Sequence, residues 1–77
     1  MLLEVCWRMR GRSDYVFRCG IYRTMPNLLE VAVIRRDGRH VAIVFSQPVK
    51  DIEVARKLAE CWRQTVLARG TFNELLN

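Results

Sequence analysis

The feature that most constrains this chain is a two-residue alternation of apolar and polar side chains through residues 1–46. In the first segment Leu3, Val5, Trp7 and Met9 alternate with more polar neighbours. A period of two indicates strands with one buried face, because successive side chains of a strand point to opposite sides. The pattern predicts strands at about residues 2–10, 14–23, 28–36 and 39–46, with the odd-numbered positions facing the core.

Turn-forming residues separate these segments. They are Gly11-Arg12-Ser13-Asp14, Met25-Pro26-Asn27 and Asp37-Gly38. Glycine, proline, asparagine and aspartate favour turns because each supports a backbone conformation that strands rarely use. Short turns join antiparallel neighbours, so the four strands are expected to form a meander.

The third of these turns decides the register of the last strand. A two-residue Asp37-Gly38 loop would place the bulky rows of its two strands on opposite faces. A three-residue loop, residues 36–38 with Gly38 in the left-handed region, pairs Val33 with Val41 instead. We expect the three-residue loop, because a slip of one residue would turn a whole apolar set towards water.

A change of period marks a helix after the fourth strand. Ile52, Ala55, Ala59, Trp62 and Val66 recur at helical spacing, which predicts a helix at about residues 51–69 with one apolar stripe. Asp51 is suited to cap its first turn, and Gly70 to end it. Residues 71–77 begin with a capping-box pattern, Thr71 to Glu74, and are expected to form a short helical tail.

These elements predict a single α+β domain over residues 1–77. It is a four-stranded antiparallel β-meander with one C-terminal α-helix packed on one face. The longest apolar run, Val41 to Phe45, is far shorter than the roughly 20 residues of a membrane span. The start of the chain also lacks the basic and apolar regions of a secretory signal. We therefore expect a cytoplasmic protein without a membrane segment.

Positive charge is concentrated in the first half of the chain. Residues 1–39 hold eight arginines and four acidic residues, whereas residues 40–77 hold five basic and four acidic residues. Arginine binds carboxylates and phosphates well because its planar group donates two parallel hydrogen bonds. The bias is compatible with an anionic partner, although a genome rich in G and C would also favour arginine codons.

In a meander the first and third turns lie at the same end of the sheet. The predicted anion-binding or partner-binding residues at this end are Arg10, Arg12, Arg35, Arg36 and Arg39. An alternative is that these are exposed turn arginines that serve solubility alone.

A second candidate site is the sheet face that the helix leaves uncovered. Its predicted interface residues are Val16, Arg18, Tyr22, Ala32, Ile34, Ala42 and Val44, with Cys6 beside them. So many small apolar residues are unusual on a solvated face. The chain's own tail, a second copy or a different partner could cover it. We expect a homodimer, because a domain below about 80 residues seldom gains enough stability from one core.

No residue pattern in the sequence points to catalysis, a cofactor or a metal. Cys6, Cys19 and Cys61 are too far apart in sequence for the closely spaced pairs of zinc sites, and an odd number does not suggest a disulfide framework. They are expected to be reduced thiols. His40 is the only histidine, and no acidic residue lies at a spacing from it that indicates a catalytic or metal-binding pair. We expect a protein that is not an enzyme and binds no cofactor or metal.

The order of elements over residues 3–69 resembles that of the single-strand-binding transcriptional coactivators. This resemblance lies in topology, so no functional residue is carried over from that family. The segments 51–63 and 67–70 are also similar to the close of small uncharacterised bacterial proteins, a likeness that implies no activity.

Two functions are compatible with these features. A protein-interaction or regulatory module would use the apolar face or the tail and would attract an acidic partner through its arginines. A nucleic-acid-binding module would contact phosphates with the turn arginines and could stack a base on Tyr22. The first explains both the charge and the apolar face, so we favour it.

Overall fold

A computed structural model describes residues 1–11 and 15–69, and its elements are ordered ββββα. They are β1 (Leu2–Arg10), β2 (Val16–Met25), β3 (Leu28–Asp37), β4 (His40–Val49) and α1 (Ile52–Arg69). The strands form one antiparallel sheet in the order β1-β2-β3-β4. The predicted α+β meander with a C-terminal helix is therefore confirmed. The predicted turn residues 12–14 and the predicted helical tail at 71–77 lie outside the described residues.

The core lies between α1 and one face of the sheet, which we call the helix-side face; the opposite one is the open face. The odd-numbered residues in the central parts of β2 and β3 are buried there, as the alternation predicts: Phe17, Cys19, Ile21, Leu29, Val31 and Val33. They meet the stripe of α1 formed by Ala55, Ala59, Trp62 and Val66. Ala55 and Ala59 are 0% and 1% exposed. Their small side chains let the helix backbone come close to the sheet.

Two tryptophans join the helix to the outer strands. Trp7 of β1 is buried, and its Nε1 donates a hydrogen bond of 2.8 Å to the carbonyl oxygen of Ala59. Trp62 of α1 meets the ring of Phe45 on β4 in a T-shaped contact with centroids 4.7 Å apart. An edge-to-face arrangement places the positive rim of one ring against the negative face of the other. Each outer strand is thus held to α1 by one aromatic anchor.

Two bulges in β1 overturn part of its predicted pattern. Val5 pairs with Gly20 and Trp7 with Cys19, which leaves Cys6 as an extra residue; Leu3 is a second. Each insertion shifts the side-chain alternation by one position. Cys6 therefore packs against the core rather than on the open face. Val5, expected inside, lies opposite Gly20 and is half-exposed.

The turn between β3 and β4 also differs from the expectation. Asp37 pairs with His40, so the loop consists of two residues, Gly38 and Arg39. The predicted three-residue loop is wrong, although Gly38 does have the expected positive φ, at 60°. The favoured two-residue hairpin turns require a positive φ at the first central position, and glycine adopts it without strain.

A bulge at Val44 then reverses the faces within β4. Ile34 pairs with Ile43 and Val33 with Phe45, so Val44 has no opposite residue in β3. Val44 packs against the core instead of the open face. Ala42 pairs with Arg35 and shares the helix-side face, contrary to the prediction.

The open face receives different residues from β4. Val41 pairs with Arg36, and Ile43 with Ile34. These two side chains, expected in the core, are 57% and 67% exposed. The strand also continues past the predicted end at residue 46, with Pro48 paired to Glu30. An edge strand tolerates proline because the missing N–H can face away from the neighbouring strand.

α1 begins as predicted, with Asp51 as its N-cap. The Asp51 Oδ1 atom accepts a hydrogen bond of 3.0 Å from the amide of Val54. Asp51→Ala is expected to lower the free energy of unfolding by about 0.5–2 kcal/mol, because it leaves a first-turn amide without its side-chain acceptor. Thermal unfolding followed by circular dichroism measures this loss. Asp51→Asn, which keeps an acceptor oxygen, is the control and should stay near the wild type; equal losses in both variants would contradict the capping role.

The described part of the chain holds no helix with both the length and the apolar character needed to cross a bilayer.

Candidate partner-binding site

The open face is built from cross-strand rows of side chains. One row runs through Arg10, Val16, Arg36 and Val41. The next runs through Arg8, Arg18, Ile34 and Ile43. Side chains directly opposite one another in an antiparallel sheet have Cβ atoms about 5 Å apart. Each row therefore combines two arginines with two branched apolar side chains.

A cavity of about 200 Å³ opens between these two rows. Apolar side chains of Val16, Ile34 and Val41 and the arginines Arg8, Arg18 and Arg36 line it. An apolar floor with a few charged donors is the usual composition of a small binding site in proteins. The cavity can thus hold an apolar group while its edge offers guanidinium donors to an anion.

Arg18 is the most enclosed of the three arginines. Its Nη2 donates a hydrogen bond of 3.2 Å to the hydroxyl oxygen of Tyr22. Its Nε is buried and has no hydrogen-bond partner among the described residues. A buried donor without a partner costs about 1–3 kcal/mol, so an acceptor that reaches Arg18 gains more than it would from a solvated arginine.

Beyond the cavity, the side chains of Leu2 and Tyr22 cover the open face at Gly20. A Cβ atom added to Gly20 would lie 2.9 Å from Cδ1 of Leu2 and 3.2 Å from Cε1 of Tyr22. Glycine lets both side chains fold over the strand at this point. The ring of Tyr22 is thus packed against its own sheet, and its hydroxyl oxygen accepts a hydrogen bond from Arg18.

Acidic side chains do little to balance this face. Glu4 is an even-numbered residue, which the alternation places on the open face. The β1 bulges turn it to the helix side instead, where Arg56 Nη2 donates a hydrogen bond of 2.9 Å to its Oε1. This hydrogen bond from Arg56 holds the pKa of Glu4 below its ordinary value. Glu30 is then the one acidic residue on the described open face, at the Pro48 end. The cavity region carries uncompensated positive charge.

Four of the five turn arginines that the sequence groups together lie among the described residues, and these four do not all share one face of the sheet. Arg10 and Arg36 share a row of the open face. Arg35 points to the other side, with its guanidinium carbon 4.9 Å from the ring centroid of Tyr15. Arg39 occupies the β3–β4 turn, and Arg12 lies outside the described residues. The grouping at the cavity is instead made by Arg8, Arg18 and Arg36.

Of the predicted open-face residues, five lie on that face in the structure: Val16, Arg18, Tyr22, Ala32 and Ile34. Sequence reasoning missed Val41, Ile43 and Val5, which the bulges and the two-residue turn bring there. The signal for Val41 and Ile43 was Gly38, whose preference for positive φ fits a two-residue turn as well as a three-residue one.

The thiols of the core are poor candidates for chemistry. Burial raises the pKa of Cys19 to about 12 and also raises the pKa of Cys6. A raised pKa suppresses the thiolate, which is the reactive form. Among residues 1–11 and 15–69, no three His, Cys, Asp or Glu side chains are grouped to hold a metal ion.

Comparison with protein-family models, with curated proteins and with solved structures finds no match to this chain.

Proposed function

We propose that this chain is a small, non-enzymatic protein-interaction module that binds an acidic, partly apolar segment of another protein on its open face. The cavity between Arg8, Arg18 and Arg36 is the observation that carries the proposal. A guanidinium pairs with a carboxylate through two parallel hydrogen bonds. The floor formed by Val16, Ile34 and Val41 accommodates an aliphatic side chain next to that carboxylate.

The mixed character of the site favours a protein segment over nucleic acid. Nucleic-acid grooves combine arginines with exposed aromatic rings on which bases stack. Within the described residues, Tyr22 is the aromatic side chain of the open face, and it is folded over Gly20. Branched aliphatic side chains occupy the positions next to the arginines in both rows. Nucleic-acid binding remains the alternative function that the experiment below separates.

The state of the cysteines fits the proposed compartment and a structural role for the buried thiols. Cys6, Cys19 and Cys61 are free, which is typical of the reducing cytoplasm, where we propose that the protein acts. The two inward-facing thiols have raised pKa values and are not poised as nucleophiles. Their packing against the core indicates a structural role.

Binding of labelled model peptides tests the proposal by fluorescence anisotropy. A peptide of alternating Glu and Leu is expected to bind, whereas Gln-Leu and Glu-Ser peptides of the same length are expected to bind more weakly, because each lacks one half of the recognition. Arg8→Gln combined with Arg36→Gln should weaken binding of the Glu-Leu peptide by about tenfold, equivalent to roughly 1.4 kcal/mol. The affinity should also fall as salt rises, since exposed charges are screened.

A matched variant removes two positive charges from elsewhere. Lys50→Gln with Lys57→Gln changes exposed side chains outside the sheet's open face and should leave the affinity nearly unchanged. Equal weakening in both double variants would mean that net charge alone attracts the peptide, and the proposed site would be wrong. Tighter binding of a single-stranded DNA oligomer than of the Glu-Leu peptide would support the nucleic-acid function instead.

A further inference from the structure

The two edge strands of the sheet, β1 and β4, differ in their bulges and in their charged residues. β1, at one edge, is interrupted by two bulges and carries Glu4, Arg8 and Arg10. Bulges and charges of this kind prevent an edge strand from pairing with another chain. β4, at the other edge, contains ten residues without an Asp, Glu, Lys or Arg. The bulge at Val44 and Pro48 interrupt only the second part of β4, so the first part of this edge is left suited to pairing.

The unprotected part of β4 is the segment before its bulge. Asp37 and His40 flank the two-residue turn, and such a pair exchanges its backbone hydrogen bonds. The pairing then alternates, so Arg36–Val41 and Ile34–Ile43 are the non-hydrogen-bonded pairs. The backbone N–H and C=O groups of Val41 and Ile43 therefore point away from β3, towards the free edge.

We propose that β4 pairs antiparallel with β4 of a second copy of this chain, centred on Ala42. In that register Val41 lies opposite Ile43 of the second copy, and Ile43 opposite its Val41. The outward backbone groups of these two residues can bond in both directions, as an antiparallel ladder requires. The segment Val41-Ala42-Ile43 is complementary to itself about its centre, which favours a second copy over an unrelated strand.

The side chains fit this register on both faces. Ala42 meets Ala42 of the second copy at a non-hydrogen-bonded position, where the backbones approach most closely and a small side chain fits best. On the open face, two valines and two isoleucines form one apolar cluster. Cross-strand pairs of branched side chains stabilise a sheet, and these four are among the most exposed apolar side chains of the separate chains.

Charge does not oppose this pairing. A two-fold axis perpendicular to the sheet puts both helices on one side and joins the two open faces on the other. Arg36 of each copy would be separated by three strand spacings, roughly 14 Å. That distance exceeds the screening length of about 8 Å at physiological ionic strength. A face-to-face dimer would press the arginine-rich rows together, which the edge pairing avoids.

The pairing also enlarges the candidate binding site. Val41 forms the β4 side of the cavity. Ile43 of the second copy would stand next to it and extend the apolar floor across the interface. Two arginine groups would then flank one shared apolar centre. The interface itself uses no arginine, so it does not depend on the proposed binding of an acidic partner.

Sedimentation analysis and hydrogen exchange test the dimer. The wild type is expected to have twice the chain mass of 9.1 kDa. Ile43→Lys is expected to have the mass of a single chain and an unchanged circular dichroism spectrum, because a lysine on the edge strand blocks pairing. Val41→Lys provides a second variant at the other outward-facing residue. The amides of Val41 and Ile43 should be protected from exchange in the wild type and should lose this protection in the lysine variants.

Val16→Lys is the matched control, since it puts the same charge on the same face but on the inner strand β2. It should remain a dimer. A monomeric wild type, a dimeric Ile43→Lys protein, or dissociation by Val16→Lys without dissociation by Ile43→Lys would each overturn the proposal. The last of these results would indicate a dimer formed through the open faces.

Discussion

Trp7→Ala is expected to lower the free energy of unfolding by about 3–5 kcal/mol. The indole is buried between β1 and α1, so its removal leaves a cavity that the tightly packed helix cannot easily close. The carbonyl oxygen of Ala59 also loses the donor that lies 2.8 Å away. Domains of this kind are stabilised by about 0.05–0.15 kcal/mol per residue, so the loss is a large part of the total.

Urea unfolding followed by circular dichroism measures this effect. Trp7→Phe separates the contribution of the hydrogen bond from that of the buried ring. Phenylalanine keeps most of the apolar volume but cannot donate to Ala59, so its cost should be about 1–2 kcal/mol. The difference between the two variants then reports the burial of the ring. A midpoint for Trp7→Ala equal to that of the wild type would show that β1 is not anchored through this residue.

Trp62→Ala is expected to cost a similar amount, about 3–5 kcal/mol. Trp62 is buried at the middle of the apolar stripe of α1, and its ring meets Phe45 at an interplanar angle of 88°. In β4, Phe45 directly follows the bulged residue Val44 and is the residue at which pairing with β3 resumes. Loss of the contact should therefore loosen the strand that carries Val41 and Ile43, as well as the helix.

A double-mutant cycle with Phe45→Ala isolates the ring contact. A coupling energy of about 0.5–1.5 kcal/mol is expected for a T-shaped pair. Leu67→Ala, at an exposed position of the same helix, is the control and should change stability by less than about 0.5 kcal/mol. Additive effects of Phe45→Ala and Trp62→Ala would contradict a direct contribution of the ring contact.

The faces of the inner strands were predictable because β2 alternates clearly and pairs with β3 without a bulge from Val16 to Arg23. In β2, Phe17, Cys19 and Ile21 alternate with residues of different size and polarity, and in β3 the turn residues fix the ends. The helix was predictable for a similar reason, since its stripe recurs at helical spacing and Asp51 supplies a cap. In both cases the side-chain pattern has one solution that buries the apolar set.

The outer strands were not predictable in the same way. The run Val41 to Phe45 consists only of apolar residues, so alternation cannot say which of them faces the core. A bulged residue such as Val44 or Cys6 resembles its neighbours chemically, and nothing in a single sequence marks it as an insertion. The register of β4 then depends on the length of the β3–β4 turn, and Gly38 is compatible with both a two-residue and a three-residue turn.

The wrong register predicted for β4 limited what the sequence could reveal about the candidate site. An excess of arginine in the first half and an apolar open face were readable from residue types alone. The grouping of arginines was not, because it depends on which face each outer position occupies. Arg35 and Arg36 are neighbours in sequence but point to opposite sides of β3. Arg8 and Arg36 are distant in sequence but line one cavity.

The placement of the two tryptophans has a practical consequence for experiments. Trp7 and Trp62 both lie in the core between α1 and the sheet, on the side of the sheet away from the cavity. Intrinsic indole fluorescence therefore reports detachment of the helix and is insensitive to a ligand on the arginine-bearing surface. Folding and ligand capture can consequently be followed in the same cuvette, the first by indole emission and the second by a dye on the ligand.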